Sequence, residues 1–131
     1  MLDRLFELRN IQDTRDVLKR RYDKISSPIL DNRKLIPEIC RIVKSECLKR
    51  KMGYDEDFYA VAIVVFIYSP SSFLKEKIKT GIRGELSKAL NLSFTRISNI
   101  QKIVRSWITI YTDFKKDLDY LYTVVISEVN N

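Results

Sequence analysis

The most informative segment of the chain is IRGELSKALNLSFTRISNIQKIV, from Ile82 to Val104. It contains two apolar pairs at helical spacing, which are Leu86 with Leu90 and Ile97 with Ile100. Residues three or four apart share one face of a helix, so each pair predicts a short amphipathic helix. Between the pairs stand Asn91, which tolerates left-handed backbone, and Ser93, which favours a helix N-cap. The spacing therefore predicts two helices joined by a three-residue turn.

Upstream of this stretch lies the most apolar run of the chain, FYAVAIVVFIY from Phe58 to Tyr68. It is about half as long as the roughly 20 residues that a membrane span requires, so we expect no membrane insertion. Its β-branched residues would also suit a strand. However, Asp55 and Asp57 offer N-cap chemistry before it, and no second run of this kind is present to pair with it. We therefore predict a buried helix.

The N-terminal third predicts two further helices. In residues 3–25 the apolar stripe of Ile11, Leu18 and Ile25 repeats every seven residues, which is typical of an amphipathic helix. A connection at residues 26–32 precedes a second helix that begins near Ile36, and Gly53 is expected at its end. The serine- and proline-containing segment at residues 69–72 marks another break.

The chain of 131 residues is long enough to bury its own core. Three glycines and three prolines are too few for the many turns of a sandwich or barrel. The predicted fold is an all-α, single-domain bundle of five or six helices over residues 1–131. We expect an N-terminal helical pair at 1–56, the buried helix and the two-helix segment at 57–110, and a C-terminal helix at 111–131.

A C-terminal seam of apolar residues alternates spacings of three and four from Ile97 to Val125. It predicts either one long helix or two helices broken near Thr112 and Asp113, and the second alternative is favoured. Large aromatic residues in the seam suit packing on a globular core or a broad oligomer interface. The candidate residues for a homo-oligomer are Trp107, Tyr111, Phe114, Leu118, Leu121 and Val125.

Composition argues against an enzyme. The chain has no histidine, which is the commonest general base near neutral pH and the commonest zinc ligand. Phosphate-loop and nucleophile-elbow motifs are also absent, so we expect no metal, cofactor or small-molecule substrate. Cys40 and Cys47 are about 10 Å apart along one predicted helix, too far to form a disulfide, and are interpreted as reduced core thiols. With no signal-peptide pattern at residues 1–10, a cytoplasmic location is expected.

Positive charge is concentrated in the middle of the chain. Lysine and arginine total 24 against 17 acidic residues, and residues 71–112 alone hold eight basic and two acidic side chains. Exposed helices usually carry both signs, so this imbalance favours a polyanionic partner. The alternative is a helical hairpin whose basic residues are only a solvated face.

The segment from Ile82 to Val104 resembles the helix-turn-helix of DNA-binding proteins. Ser87 stands where the family commonly has alanine, and Asn91 where it commonly has glycine. The helical context of residues 57–110 is also similar to the DNA-binding domain of the bacterial replication initiator and to the tryptophan-repressor type. The initiator's own recognition signature is missing, so replication initiation is not implied. The string SPSSFLKEKIKTGIRGELSKAL is similar to segments of small proteins encoded by bacteriophages and mobile elements, which implies a viral source and the host cytoplasm or a virion as location.

The resemblance implies that duplex DNA is the partner and that the second helix enters the major groove. The side chains expected to contact bases are Ser93, Phe94, Thr95, Arg96, Ser98, Asn99 and Lys102. The side chains expected to contact phosphates are Lys75, Lys77, Lys79, Arg83, Lys88 and Arg105. Gly81 and Gly84 are interpreted as a bend or cap, with close approach to a phosphate or another helix as the alternative. A competing hypothesis is an all-helical phage structural or packaging protein that oligomerises through the C-terminal seam.

Overall fold

The computed structural model describes residues 1–74 and 77–130, and this part of the chain contains six α-helices and no strand. The helices are α1 (Leu2–Ser26), α2 (Ile36–Arg50), α3 (Glu56–Tyr68), α4 (Ile82–Leu90), α5 (Phe94–Ile110) and α6 (Thr112–Val129). Two short 3-10 helices, Arg33–Leu35 and Pro70–Leu74, lie in the connections. The prediction of an all-α helical bundle is confirmed. Within these residues no helix is both long and apolar enough to cross a bilayer.

Helix α3 is the centre of the bundle. It packs against α2, α4, α5 and α6, so apolar side chains are required all around it. Ten of its residues are buried, and Phe66 is the exposed exception. The side chain of Asp55 accepts a hydrogen bond from the backbone N–H of Asp57 at 2.8 Å, which caps the helix as predicted. The choice of helix over strand for this run is confirmed.

Helix α2 carries both cysteines into the core. Burial raises the pKa of the Cys40 thiol to about 12 and that of Cys47 to about 11, because a thiolate is poorly solvated there. Both thiols are free, as expected. The expectation that Gly53 ends the helix is wrong. The left-handed residue is Lys51 (φ 49°), because the N–H of Met52 bonds to the Cys47 carbonyl and closes the helix two residues earlier.

The C-terminal seam forms two helices. Helix α5 ends at Ile110, Tyr111 adopts extended backbone (φ −107°, ψ 105°), and α6 begins at Thr112, so the favoured alternative is confirmed. The expectation that the seam is available to a second chain is wrong for most of its residues. Phe114, Leu121 and Val125 are fully buried in the core of their own chain, and Leu118 is half-buried. The Trp107 ring lies 4.9 Å from the Phe58 ring and 5.1 Å from the Tyr54 ring, centroid to centroid.

Helix α6 is also held by tyrosine hydroxyls that donate to carboxylates. Tyr59 of α3 donates to Asp117 at 2.5 Å, and Tyr120 of α6 donates to Glu46 of α2 at 3.0 Å. Burial, followed by the bond to Asp117, raises the pKa of Tyr59. These two bonds tie α6 to α3 and to α2.

Helix α1 differs from the rest because none of its residues is buried. Its apolar stripe is present as predicted, but Ile11, Leu18 and Ile25 are all exposed. The helix ends at Ser26, and the following segment is tied to α3 by a 2.7 Å bond from the Ile29 N–H to the Ile67 carbonyl. The helix is therefore joined to the bundle at its C-terminal end.

Candidate nucleic-acid interface

Helix α4 begins at a glycine whose conformation other residues rarely adopt. Gly81 has φ +92°, and a Cβ built there would lie 2.6 Å from Nη1 of Arg33. The same Arg33 nitrogen donates a hydrogen bond to the carbonyl of Thr80. The predicted bend or cap at Gly81 is confirmed, and the reason includes Arg33, 48 residues away in sequence, which no local pattern indicates.

The turn between α4 and α5 has the predicted chemistry. Asn91 is left-handed (φ 55°, ψ 48°), and Ser93 caps α5 by accepting a 3.1 Å bond from the N–H of Arg96. The Ser87 hydroxyl donates to the carbonyl of Leu92 at 2.5 Å, while the N–H of Leu92 donates to the Ser87 carbonyl at 3.1 Å. A serine at position 87 therefore closes the turn as well as being small.

The two apolar pairs face the core. Leu86, Ile97 and Ile100 are completely buried, and Leu90 is nearly so. Helical periodicity then requires the opposite side of α5 to point outward. The residues on that side are the ones that sequence analysis selected.

Six of the seven residues expected to contact bases are exposed: Ser93, Phe94, Thr95, Arg96, Asn99 and Lys102. Ser98 is half-buried. Thr95, Asn99 and Lys102 lie four and three residues apart, so they form a single line along α5. Residues 93–102 contain no carboxylate, so this face combines hydrogen-bonding groups with positive charge only.

Arg83 joins the two helices on one flank of this face. Its Nη1 donates to the Ser98 hydroxyl at 2.9 Å, and its guanidinium carbon lies 5.8 Å from the centroid of the Phe94 ring. A Cβ built on Gly84 would be 3.8 Å from the Phe94 ring, an ordinary contact distance. The close approach at Gly84 is therefore to another helix. Arg83 is held in place while its side chain stays exposed.

Arg96 occupies the opposite flank. Its guanidinium carbon lies 5.5 Å from the centroid of the Phe58 ring, at the edge of the aromatic cluster around Trp107. A cation over an aromatic face is attracted by the ring quadrupole. The contact positions the side chain of Arg96 beside the outward face.

Exposed cations lie on α4 and on the segment before it. Four of the residues expected to contact phosphates, Lys77, Lys79, Arg83 and Lys88, are exposed, and Lys75 lies outside the described residues. Arg33 and Lys34 add two exposed cations beside Thr80 that sequence analysis did not select. Arg105, which was also expected to contact phosphates, differs from these four residues. It is half-buried in the wall of an apolar groove near α1, because at about 100° per residue it is turned about 80° around α5 from Thr95.

A buried polar contact fixes α5 against the segment that precedes α4. Nε2 of Gln101 donates to the Ser72 hydroxyl at 3.2 Å, and that hydroxyl donates to the Ser69 carbonyl at 2.8 Å. The Ser69 hydroxyl accepts the backbone N–H of Lys79 at 3.2 Å. The outward face of α5 and the basic segment around Lys79 are thus held in one arrangement. A single buried glutamine in an apolar pattern was the only sequence signal for this contact.

No protein-family model, curated protein or solved structure matches this chain. The functional argument therefore depends on the geometry of α4 and α5 and on the charge around them.

Proposed function

We propose that this protein binds duplex DNA and inserts the N-terminal half of α5 into the major groove. The observation that carries the proposal is the outward face of α5, where Thr95, Asn99 and Lys102 are exposed in one line and no acidic residue interrupts them. The major groove is about 12 Å wide and admits an α-helix. A regular helix that presents hydrogen-bonding side chains without carboxylates is suited to it.

The chemistry of this face fits base edges. Asn99 can bond bidentately to adenine, and Lys102 or Arg96 to the acceptors of guanine. Phe94 is 56% exposed at the first position of α5, where its ring can contact a thymine methyl group. Ser93 at the N-cap lies where the helix dipole favours a phosphate.

The basic surface formed by α4 and the segment before it fits the DNA backbone. Lys77, Lys79 and Lys88 are exposed, and Arg33 and Lys34 extend the same positive surface. Contacts of this kind position a protein on the duplex but carry no sequence information. Each neutralised phosphate contributes about 0.9 to the slope of log affinity against log salt concentration.

Fluorescence anisotropy with labelled duplexes tests the proposal. Binding to random duplex is measured at two salt concentrations, and preferred sites are then selected from a random pool. We expect Lys79→Ala to weaken binding equally on all duplexes and to reduce the salt slope by about one. Asn99→Ala or Arg96→Ala should instead cost about 1 to 3 kcal/mol on the preferred site and little on random duplex.

Lys116→Ala is the matched control, because Lys116 is an exposed lysine on α6, away from α4 and the first turns of α5. It should leave affinity and salt slope almost unchanged. The proposal fails if the protein shows no salt-dependent duplex binding. It also fails if Lys116→Ala and Lys79→Ala have equal effects, since binding would then reflect net charge alone.

A further inference from the structure

Helix α1 exposes an unusually large apolar surface for a helix of a folded protein. It has 25 residues and no buried one, and eight of its large apolar side chains are between 47% and 72% exposed. They are Leu2, Leu5, Phe6, Leu8, Ile11, Val17, Leu18 and Ile25. Most helical stability in proteins comes from packing an apolar face, and large exposed apolar patches mark interaction sites. The helix therefore requires a partner surface.

The apolar residues of α1 follow the pattern of a helix that packs on another helix. From Leu8 through Ile11, Leu18 and Tyr22 to Ile25, the seam alternates spacings of three and four, and Arg15 is the one charged position within it. This alternation is the signature of two helices that pair along their length. At about 1.5 Å per residue, α1 is about 37 Å long.

The seam opens onto an apolar groove at the C-terminal end of α1. The groove has a volume of about 660 Å³ and is lined by Ile25 and Ile29, by Phe66 of α3, by Leu74 of the second 3-10 helix, and by Leu118 of α6. Leu74 is 63% exposed. Because Ile25 belongs to both the seam and the groove, one continuous surface runs from α1 into the bundle. A helix laid along α1 would extend over the groove.

Charge is distributed unevenly along α1. Residues 2–13 carry three acidic and two basic side chains, whereas residues 14–26 carry two acidic and five basic ones. The groove adds Arg105 and Lys115 against Asp119 at the same end. The N-terminal half of α1 therefore has a net charge of −1 and the C-terminal half a net charge of +3. These halves face each other in two copies only when the two helices run in opposite directions.

We propose that the partner is a second copy of this chain, and that two α1 helices pair antiparallel about a two-fold axis midway between Arg15 and Leu18, so that the two Arg15 side chains do not face each other. This arrangement places Leu8 of one copy against Ile25 of the other and lays the first turns of each α1 over the groove of its partner. The interface is isologous, as expected for a two-fold dimer. A standard interface uses about 20 to 30 residues a side. The eight exposed apolar residues of α1 and the 17 residues that line the groove, which have Ile25 in common, together give 24.

This inference does not rest on DNA binding, and it differs from an oligomer formed through the C-terminal seam, because Phe114, Leu121 and Val125 of that seam are buried in their own core. The mixed charge of α1 also separates it from a membrane-surface helix. Anionic lipid surfaces attract clusters of lysine and arginine, whereas α1 carries five acidic side chains among its seven basic ones.

Analytical ultracentrifugation of the full chain over a range of micromolar concentrations tests the proposal. We expect a dimer of twice the 15.5 kDa chain mass. Leu5→Glu combined with Phe6→Glu should give a monomer at every concentration, because two charges would face the groove. Neither side chain is buried, so the thermal unfolding of the bundle should be unchanged in a monomeric state. Leu48→Glu is the control, because Leu48 is 75% exposed on α2 and outside both seam and groove.

Crosslinking tests the direction of pairing. A chain with Leu8→Cys mixed with a chain with Ile25→Cys should form a disulfide-linked dimer, whereas Leu8→Cys alone should not. The native Cys40 and Cys47 are buried and do not compete.

Two results would overturn the proposal: a wild-type chain that stays monomeric at all concentrations, or efficient crosslinking of Leu8→Cys with itself. A monomer that binds vesicles of anionic lipid would assign α1 to a membrane surface instead.

Discussion

Replacing Gly81 with alanine tests how the start of α4 is fixed. Two costs follow from the structure. A side chain at φ +92° is strained by about 1 to 2 kcal/mol. A Cβ 2.6 Å from Nη1 of Arg33 must also displace that guanidinium from the Thr80 carbonyl, and an exposed charge-assisted bond of this kind is worth about 1 kcal/mol. Alanine recovers about 0.4 to 1 kcal/mol by restricting the unfolded chain. We expect Gly81→Ala to lower the free energy of unfolding by about 2 kcal/mol.

Urea unfolding monitored by tryptophan fluorescence measures this change. Trp107 is the only tryptophan of the chain and lies in the aromatic cluster, so it reports on the bundle and not on α1. For a domain of this size the midpoint should fall by about 1 M. The other two glycines are matched controls. Gly53 has no atom within 4 Å of a built Cβ, and Gly84 makes only an ordinary contact inside α4, so alanine at either position should be neutral or stabilising.

A double-mutant cycle separates the two costs. In an Arg33→Ala background the penalty for Gly81→Ala should fall by the part due to the guanidinium and leave the backbone strain. If all three glycine substitutions had the same effect, or if Arg33→Ala left the penalty unchanged, the account of this turn would be wrong.

Three further predictions concern the helix-turn-helix and the core. Ser93→Ala should destabilise the protein by about 1 kcal/mol through loss of the N-cap, whereas Ser106→Ala, in the interior of the same helix, should not; urea unfolding distinguishes them. At Asn91, with φ 55°, melting temperature should rise with glycine and fall with alanine, since only glycine adopts this conformation without strain. The free energy of unfolding should decrease above pH 9. The unfolded chain ionises its thiols near pH 9.0, whereas folding raises the pKa of Cys40 to about 12, so the folded state retains a proton that the unfolded state releases. Cys40→Ala should reduce the slope of the unfolding free energy against pH.

Helix α3 and the turn at Asn91 show how much could be predicted from local sequence. The long apolar run is preceded by the capping residue Asp55, and the chain has few turn residues. These two features favour a buried, capped helix over a strand. The positions of Asn91 and Ser93 follow from their own backbone and side-chain preferences. These features depend on neighbours within a few residues, so periodicity and residue type were sufficient for them.

Two apolar stripes of the same period have different surroundings in the structure. The residues from Trp107 to Val125 looked available to a second chain, but α6 folds back after Tyr111 and packs on α2 and α3. The stripe of α1 has the same period and remains exposed. A stripe specifies that an apolar face exists. It does not specify what covers that face, because the covering residues come from distant parts of the chain or from another molecule.

Local sequence was sufficient to predict that the chain is all-α, that a three-residue turn precedes α5 and that Ser93 caps this helix. It also showed the excess of positive charge near that cap. Tertiary structure alone decided that Arg33 stands against Gly81, that Arg105 turns into the groove and that α1 is left without cover. The physical reason is the range of the interactions. Backbone preferences and helical periodicity act over a few residues, whereas which faces are buried depends on how elements far apart in sequence share one core.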